Sequence, residues 1–419
     1  MRKPAGTHFD VIVVGGGVAA GACVSTLREA GYDGTIAVTC AEPHPPYTRP
    51  GLTKQVLRGE KPADAALWRS RQWYREQSIS LLSDSMVQSI DPAGHRLEVS
   101  GRKLTYGSLV LATGAEPRHL DFGAAVADRV HVLRSFADAD AIRPHLGEGT
   151  RWLVVGGGFI GAEFAASAAL TGSSVSLVMR EEVIFEQAFG ASVGAWFDSR
   201  LRRRGVDVCA AAGVASLERC EDGLRVGLDS GRTLTVDRIL VGAGVIPSTG
   251  LASAAGLTLE LGGIAVDGHL RTSENDIYAI GDVAAYESEL HRRRVRIEHW
   301  DIARAHGAHV ANELIDPAAR AFRVLPYFFG TLGDWAFLEY TGVGGGRAVM
   351  RGSADGDDMS AAYIADDGVL TGLITVGRPE DLAAAAELVV ERARLAPHLL
   401  ADDRVPLAAC RLKQPLVTG

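Results

Sequence analysis

The sequence has little cysteine, and none of it is arranged for metal or disulfide chemistry. The five residues are Cys23, Cys40, Cys209, Cys220 and Cys410. None of them lies at CxxC or another metal-ligand spacing, which excludes a zinc knuckle and a vicinal redox dithiol. The histidines show no metal-ligand cluster either, so we expect no bound metal. Any electron chemistry would have to come from a bound cofactor.

Long apolar segments and a strong charge imbalance are also missing. The longest apolar runs, such as 11–14, fall far short of the roughly 20 residues that span a bilayer, and MRKPAGTH is not followed by an apolar signal core. Because 43 basic and 51 acidic residues give a net charge of −8, binding to nucleic acid is not indicated. We expect a cytoplasmic protein without a membrane partner. Its 419 residues predict two or three domains.

Glycine is abundant, with 49 residues, and it marks two strand-to-helix turns. In FDVIVVGGGVAAGACVSTLREAG an apolar strand leads through Gly15 and Gly17 into an Ala-rich helix, with Ala20 at the third small position of the motif. The second turn, 141 residues later, is RWLVVGGGFIGAEFAASAALTG, with Gly156, Gly158 and Gly161. Small residues let a pyrophosphate approach a helix N-terminus. Two such turns predict two dinucleotide sites.

The residues that follow each strand-turn-helix segment bear on the choice of nucleotide. Glu42, which follows the second strand 25 residues after Gly17, is a candidate ligand of the adenosine ribose. In the second unit the corresponding strand ends in Met179, and Arg180 follows. A guanidinium in place of a carboxylate suits a 2′-phosphate and favours NADPH over NADH. The neighbouring Glu181 and Glu182 leave NADH open.

Further motifs resemble a known family. The run PPYTRPGLTK, residues 45–54, is similar to the signature PYxRPxLSK of FAD-dependent, NAD(P)H-dependent reductases of the ferredoxin and rubredoxin reductase group. These proteins are relatives of apoptosis-inducing factor and monodehydroascorbate reductase within the pyridine nucleotide-disulfide oxidoreductase superfamily. LATGAEPR, GGGFIGAEFA, VGAGVIPSTGLA, YAIGDVA and RIEHWDIARAHG extend the resemblance from about residue 8 to 350.

The resemblance implies contacts with FAD and with NAD(P)H. On the FAD side it implies Ala19, Glu42, Arg49, Lys54, Val87 through its backbone, Thr113, Arg134, Asp282 and Trp300. On the NAD(P)H side it implies contacts from Ile160 and Gly244 as well as from the glycines of the second turn. In relatives a glutamate at the position of Glu163 pairs with the lysine beside the flavin N5, so Lys54 and Glu163 are the candidate catalytic pair. For two of the FAD contacts an alternative role remains. Asp282 is the N-cap of a helix beginning at Val283 in one, and Trp300 is a packed aromatic residue in the other.

The expected fold class is α/β, with two Rossmann-like dinucleotide-binding domains of the glutathione-reductase type and a small C-terminal α+β domain. The expected boundaries are 8–120 and 237–322 for the FAD domain, 121–236 for the NAD(P)H domain and 323–419 for the C-terminal domain.

The resemblance implies that hydride passes from NAD(P)H to flavin N5 and that electrons then pass to a ferredoxin or rubredoxin. Arg292, Arg294 and Arg296 would share one face of an extended segment and favour an acidic iron–sulfur partner, although a solvated hairpin is the alternative. Relatives commonly carry F-[FW]-S-D where this chain has Phe329, Gly330 and Thr331, which favours a flavin oxidase or reductase of small molecules. A regulator resembling apoptosis-inducing factor is a third hypothesis. The chain is expected to be a monomer or a homodimer.

Overall fold

The computed structural model describes residues 7–316, 318, 320–353 and 355–412. The described residues form two compact units, each built from three segments of the chain. Among the described residues, unit 1 draws on 7–50, 62–116 and 245–324, and unit 2 draws on 51–61, 117–244 and 325–412. No helix in the described part of the chain is long and apolar enough to cross a membrane.

The strands, in chain order, are β1 (His8–Val14), β2 (Ile36–Thr39), β3 (Ile79–Leu82), β4 (Val87–Asp91), β5 (Arg96–Val99), β6 (Arg102–Leu111), β7 (Ala115–Pro117), β8 (Val130–His131), β9 (Arg151–Val155), β10 (Ser174–Val178), β11 (Asp207–Cys209), β12 (Val214–Cys220), β13 (Gly223–Leu228), β14 (Thr233–Val236), β15 (Arg238–Val241), β16 (Val245–Pro247), β17 (Leu259–Glu260), β18 (Gly263–Val266), β19 (Ile277–Ala279), β20 (Ala284–Ser288), β21 (Arg293–Arg296), β22 (Tyr327–Leu332), β23 (Ala336–Gly342), β24 (Arg347–Arg351), β25 (Met359–Ile364) and β26 (Leu370–Val376).

The α-helices are α1 (Val18–Glu29), α2 (Arg71–Glu76), α3 (Phe136–Ile142), α4 (Phe159–Leu170), α5 (Glu186–Phe189), α6 (Ala191–Arg203), α7 (Gly250–Ala254), α8 (Trp300–Ile315), α9 (Pro379–Val390) and α10 (Pro397–Leu400).

Unit 1 is built around a sheet whose central strands are parallel. The order is β3-β2-β1-β6-β5-β4, and β19 also pairs with β6. Strand β1 runs parallel to both of its neighbours, and its residues 11–14 are all buried. A strand covered on both faces needs a continuous apolar run, which explains the sequence VIVV. A second sheet of this unit has the order β17-β18-β20-β21.

Helices α1 and α8 pack closely in unit 1. A Cβ added to Gly307 on α8 would lie 2.3 Å from the carbonyl oxygen of Ala19 and 2.8 Å from the amide nitrogen of Cys23. Any side chain at Gly307 would therefore push the two helices apart. The segment between Gly17 and Glu29 is thus held from both sides, by the sheet and by α8.

Unit 2 contains a second parallel sheet, of order β11-β10-β9-β15-β8. Strand β15 pairs in parallel with β9 and β8, so residues 238–241 belong to this unit. The expected start of the second FAD-domain segment at residue 237 differs from this pairing, and in the structure unit 1 resumes at residue 245. An apolar strand does not reveal from its sequence which of two similar sheets it joins.

The remainder of unit 2 comprises two antiparallel sheets. Strands β12, β13 and β14 form a meander, and the C-terminal sheet has the order β22-β23-β26-β25-β24. Helix α9 covers the C-terminal sheet through Ala385, Leu388 and Val389, which are buried against Leu373. The expected fold class is confirmed: two parallel strand-turn-helix sheets are followed by a small α+β part.

Replacing Gly307 by alanine tests the close approach of α1 and α8. We expect Gly307→Ala to lower the free energy of unfolding by about 1–3 kcal/mol, because the new Cβ meets backbone atoms that cannot move independently. Gly250→Ala is the matched control, since a Cβ at Gly250 meets nothing within 4 Å. Denaturant unfolding of the two variants compares them. Equal stability of both would show that the helices can separate without cost.

Candidate functional site

The first glycine turn, between β1 and α1, leaves no room for a side chain at Gly15. Gly15 has φ +143°, and a Cβ there would lie 2.1 Å from the carbonyl oxygen of Ala112. Gly17 is the N-cap of α1, and a Cβ there would point into open space. Ala19 and Ala20 follow in the first, buried turn of the helix. The exposed N–H groups at this helix start suit a phosphate group.

The second turn, between β9 and α4, repeats this design. Gly156 has φ +113°, and a Cβ there would lie 2.5 Å from the carbonyl oxygen of Gly242. Gly158 is the N-cap of α4, and half-buried Ile160 lies in its first turn. A Cβ on Gly161 would lie 2.0 Å from the carbonyl oxygen of Gly156. The residues present therefore fit a second dinucleotide pyrophosphate, as the sequence predicts.

Glu42 and Arg49, two of the predicted FAD contacts, lie together in unit 1. Tyr47 donates its hydroxyl to Glu42 Oε2 at 2.7 Å, and Arg49 Nη2 lies 3.4 Å from Glu42 Oε1. Arg49 also donates to the Tyr47 hydroxyl at 3.0 Å. If Glu42 binds the ribose, its carboxylate is held in place by charge-assisted hydrogen bonds with Tyr47 and Arg49 of the PYTRP segment.

Three further predicted FAD contacts lie at the ends of strands in unit 1. Thr113, just after β6, donates its hydroxyl to the carbonyl of Ser248 at 2.8 Å. Val87 begins β4 and is buried, next to an irregularity in the pairing of that strand. Asp282 lies in a 3₁₀ turn, Gly281–Val283, which leads into β20. No α-helix begins at Val283, so the alternative role of Asp282 as a helix N-cap is wrong.

The start of α8 is built around aromatic and histidine side chains. Trp300 is the first residue of α8, and its ring lies 6.4 Å from that of Trp68. One and a half turns later His306 is fully buried, and its Nδ1 accepts a hydrogen bond from the Gly281 amide at 3.2 Å. Burial lowers the pKa of His306 to about 3, so the ring is neutral at pH 7 and can accept this bond. Sequence reasoning missed His306, although it lies within the motif RIEHWDIARAHG.

Two of the predicted cofactor residues lie in loops of unit 2. The amide of Arg134 donates to Asp138 Oδ2 at 2.9 Å, which places Arg134 beside the capping box of α3. Gly244 has φ +87°, and its carbonyl accepts a hydrogen bond from the amide of Arg118 at 2.9 Å. Their cofactor contacts stay predictions.

Lys54 and Glu163 form a buried ion pair in unit 2. Lys54 Nζ lies 3.0 Å from Glu163 Oε1, and the two side chains are 8% and 9% exposed. Lys54 Nζ also lies 5.6 Å from the centre of the Phe329 ring. The resemblance led us to expect this pairing, and the structure contains it. Its catalytic role stays a prediction.

Other donors complete the shell around the Glu163 carboxylate. Thr53 donates its hydroxyl to Oε2 at 2.5 Å, and the amide of Thr331 donates to Oε1 at 3.1 Å. A Cβ on Gly330 would lie 3.3 Å from Oε1. The carboxylate is therefore held by an ammonium, a hydroxyl and a backbone amide, which fixes its charge and its orientation.

A hydrogen-bonded chain supports this arrangement from behind. Ser167, one turn along α4 from Glu163, donates its hydroxyl to the carbonyl of Thr53 at 2.6 Å. Arg58 in turn donates to the Ser167 hydroxyl at 2.9 Å. Sequence reasoning missed Thr53, Ser167 and Arg58. The available signal was the spacing of Glu163 and Ser167 on one helix face.

The cysteines do not supply a redox centre. All five are free, and Cys23 and Cys40 are completely buried. Burial raises the pKa of each of these two thiols to about 12, so neither is a thiolate at pH 7. Cys40 is therefore a small buried residue and not a redox thiol.

Arg180 has the exposure that a phosphate-binding residue needs. Its side chain is 78% exposed and lies 3.5 Å from Asp229 Oδ2. The neighbouring Met179 is buried, and Glu181 accepts a hydrogen bond from Gln187 at 2.5 Å. An exposed ion pair of this kind contributes little stability, so a phosphate can replace Asp229 as the partner of Arg180 at low cost.

Two glycine turns on parallel sheets and a buried Lys–Glu pair define a flavin- and nicotinamide-dependent oxidoreductase. Residues 9–307 match the family model described as pyridine nucleotide-disulphide oxidoreductase, and residues 337–411 match the model described as reductase C-terminal. The chain belongs to the pyridine nucleotide-disulphide oxidoreductase family. This membership implies FAD and NAD(P)H as cofactors, and the glycine turns fit both.

The chain is similar to curated proteins over almost its full length. It is 34% identical to the ferredoxin reductase subunit of 5,5′-dehydrodivanillate O-demethylase from Sphingobium sp., over 96% of this chain and 98% of that protein. It is 31% identical to monodehydroascorbate reductase 5 of rice, over 98% of this chain and 91% of that protein.

A solved structure shows the same architecture. The crystal structure of the covalent putidaredoxin reductase–putidaredoxin complex matches with a TM-score of 0.89 and 32% identity, over 95% of this chain and 96% of that chain. The predicted family, of ferredoxin-reductase type, is confirmed.

The Thr53 hydroxyl gives a direct test of the shell around Glu163. We expect Thr53→Val to lower the free energy of unfolding by about 1–3 kcal/mol, because Glu163 Oε2 would lose its donor while staying buried. Thr53→Ser keeps the hydroxyl and serves as the matched control. Urea unfolding of both variants measures the difference. If the valine variant is as stable as the serine variant, the hydrogen bond from Thr53 to Glu163 Oε2 does not stabilise the protein.

Proposed function

We propose that this protein oxidises NAD(P)H and reduces a ferredoxin-type iron–sulfur protein one electron at a time. The observation that carries this proposal is the near full-length similarity to a ferredoxin reductase subunit, including the C-terminal reductase part at 337–411. Bound FAD supplies the step between the two partners, since a flavin accepts two electrons together and releases them singly. Such activity makes the protein the reductase component of a larger electron-transfer system.

The protein's own residues hold the cofactors and fix the charge around them. We propose that Gly15, Gly17, Ala19 and Ala20 hold the FAD pyrophosphate, with Glu42, Arg49, Val87, Thr113, Arg134, Asp282 and Trp300 contacting the rest of FAD. Gly156, Gly158, Ile160, Gly161 and Gly244 hold NAD(P)H in the same way.

Lys54 and Glu163 are proposed as the catalytic pair of unit 2. The ammonium and carboxylate are buried, and Thr53 and Thr331 donate to the carboxylate, so the pair is oriented before any substrate binds. Preorganised charge of this kind stabilises charge that develops in a transition state without rearrangement.

We also propose the division into FAD, NAD(P)H and C-terminal domains that is expected from the sequence, except that the second FAD segment begins near residue 245 and not at residue 237. A cytoplasmic location stays a prediction from the sequence.

We further propose that NADPH is preferred over NADH. Support comes from the exposed guanidinium of Arg180, from the weak ion pair with Asp229, and from Met179 in place of an acidic residue at the end of β10. Asp229 Oδ1 accepts the amide of Gly213 at 2.8 Å, so Asp229 can stay in place when Arg180 turns to a phosphate.

Arg180→Ala should weaken NADPH more than NADH. We expect KM for NADPH to rise about tenfold, the cost of one charge-assisted contact of about 1.4 kcal/mol, while KM for NADH changes little. Steady-state kinetics with a dye acceptor measures both. Arg203→Ala, which removes another exposed arginine of unit 2, is the control. Equal losses for the two nucleotides would remove the case for the phosphate contact.

The arginine strip formed by Arg292, Arg294 and Arg296 is a weaker docking surface than the sequence indicates. Arg294 and Arg296 lie in β21, which pairs antiparallel with β20 in a hairpin, but Arg292 lies in the turn before β21 with φ +53° and does not share their face. Arg294 pairs with Glu260 and Glu287, and Arg296 pairs with Glu298. These carboxylates neutralise most of the expected positive face. An acidic iron–sulfur partner is therefore proposed on the similarity to ferredoxin reductases and not on this strip.

One observation favours a second candidate function. The similarity to the rice monodehydroascorbate reductase is almost as extensive as that to the ferredoxin reductase subunit. In this alternative the reduced flavoprotein delivers single electrons directly to a small organic acceptor. No step of such a reaction requires a protein partner.

The electron acceptor can be identified by comparing reoxidation rates. The NADPH-reduced protein, prepared anaerobically, is mixed in a stopped-flow instrument with a [2Fe–2S] ferredoxin, with monodehydroascorbate or with air-saturated buffer. We expect ferredoxin to reoxidise the flavin at least tenfold faster than oxygen does, because a specific partner is oriented on binding. The same protein kept under nitrogen is the control. Faster reoxidation by monodehydroascorbate would favour the second candidate, and equal rates with oxygen and ferredoxin would contradict the proposal.

A further inference from the structure

A cluster of metal-ligating side chains lies in unit 1 among residues to which no cofactor role is assigned. His309 and Glu313 are one turn apart on α8, and His269 belongs to the turn between β18 and β19. Each residue offers one ligand atom, and these atoms all lie within 4.8 Å of one another. No metal is expected from the sequence, because His269 lies 40 residues before His309 and 44 residues before Glu313 and forms no recognisable motif with them.

The Glu313 carboxylate is already oriented toward His269. Its side chain is fully buried, and Arg271 donates to Oε1. This contact leaves Oε2 facing His269 Nδ1, 3.1 Å away. Outer partners that fix a ligating carboxylate in this way are typical of protein metal sites.

His309 provides the observation that an ion pair alone does not explain. Its Nε2 is buried and has no hydrogen-bond partner within the described residues. The ring packs edge-on against Phe322, with 5.5 Å between ring centres. Leaving a buried polar atom without a partner is costly, and a metal ion would satisfy it.

We propose that His269, His309 and Glu313 form a binding site for a divalent transition metal of the zinc class. Two imidazoles and one carboxylate are a ligand set that Zn²⁺ prefers, and water would complete the tetrahedron. A zinc ion about 2.0–2.1 Å from each ligand requires the three atoms to approach one another by a small rotation of the imidazoles.

The rival explanation is a metal-free cluster of Arg271, Glu313 and His269. It accounts for both oxygens of Glu313 but leaves His309 Nε2 unsatisfied. A bound ion would join the turn containing His269 to α8, the helix whose His306 accepts the amide of Gly281. We therefore expect zinc to stabilise this part of unit 1.

Calorimetric titration of the chelator-treated, FAD-loaded protein with zinc chloride tests the proposal. We expect one zinc ion per chain, a melting temperature that rises with zinc, and at least tenfold weaker binding in His309→Leu and in His269→Ala. Leucine keeps an apolar contact with Phe322. The exposed His398 is the matched control, and His398→Ala should bind zinc as the unchanged protein does.

Folding of each variant is checked by its FAD content and by its melting temperature without zinc. X-ray absorption at the zinc edge of the unchanged protein is a second measurement that needs no variant, and two imidazole ligands are expected. Absence of binding, an affinity in the His309 and His269 variants equal to that of the unchanged protein, or a zinc shell without imidazole would overturn the proposal. None of these measurements depends on the electron acceptor, so the proposed function can fail while this site stands.

Discussion

The buried Glu163 carboxylate is the interaction on which the candidate site of unit 2 depends. It joins residues far apart in the sequence, since Thr53 lies 110 positions before it and Thr331 lies 168 positions after it. Removing one partner of a buried ion pair typically costs about 3–5 kcal/mol, because the remaining charge is left without compensation. The segment 51–61 therefore stays with unit 2 although its chain neighbours on both sides belong to unit 1.

The parts of the fold that could be predicted from the sequence are those whose cause is local. Gly15 and Gly156 have positive φ and leave no space for a Cβ, so each turn can be recognised from a few adjacent residues of the sequence. The same holds for the apolar run in β1, which requires burial on both faces. Strand β15 was harder to place because an apolar strand can join either parallel sheet, and only its tertiary neighbours decide.

The parts that could not be predicted depend on contacts between distant residues. Arg294 was expected on a positive face, but Glu260 and Glu287 lie beside it in the folded sheet. His269 and Glu313 meet because β18 and α8 belong to the same unit, and no spacing in the sequence indicates this. Residue type tells which chemistry is available, whereas the topology decides which groups share a site.

In β22 this chain has Phe329, Gly330 and Thr331 where relatives commonly carry F-[FW]-S-D, and the folded structure gives this difference another explanation than the sequence does. In the sequence alone, Gly330 and Thr331 stand where relatives commonly carry Ser-Asp, so an acidic residue is lost, which bears on the electron acceptor. In the folded chain a Cβ on Gly330 would lie only 3.3 Å from Glu163 Oε1 and 3.2 Å from Leu338. The absence of a side chain lets β22 come close enough for the Thr331 amide to donate to that oxygen. The glycine is thus explained by the packing of the Lys54–Glu163 pair, and it carries little information about the partner.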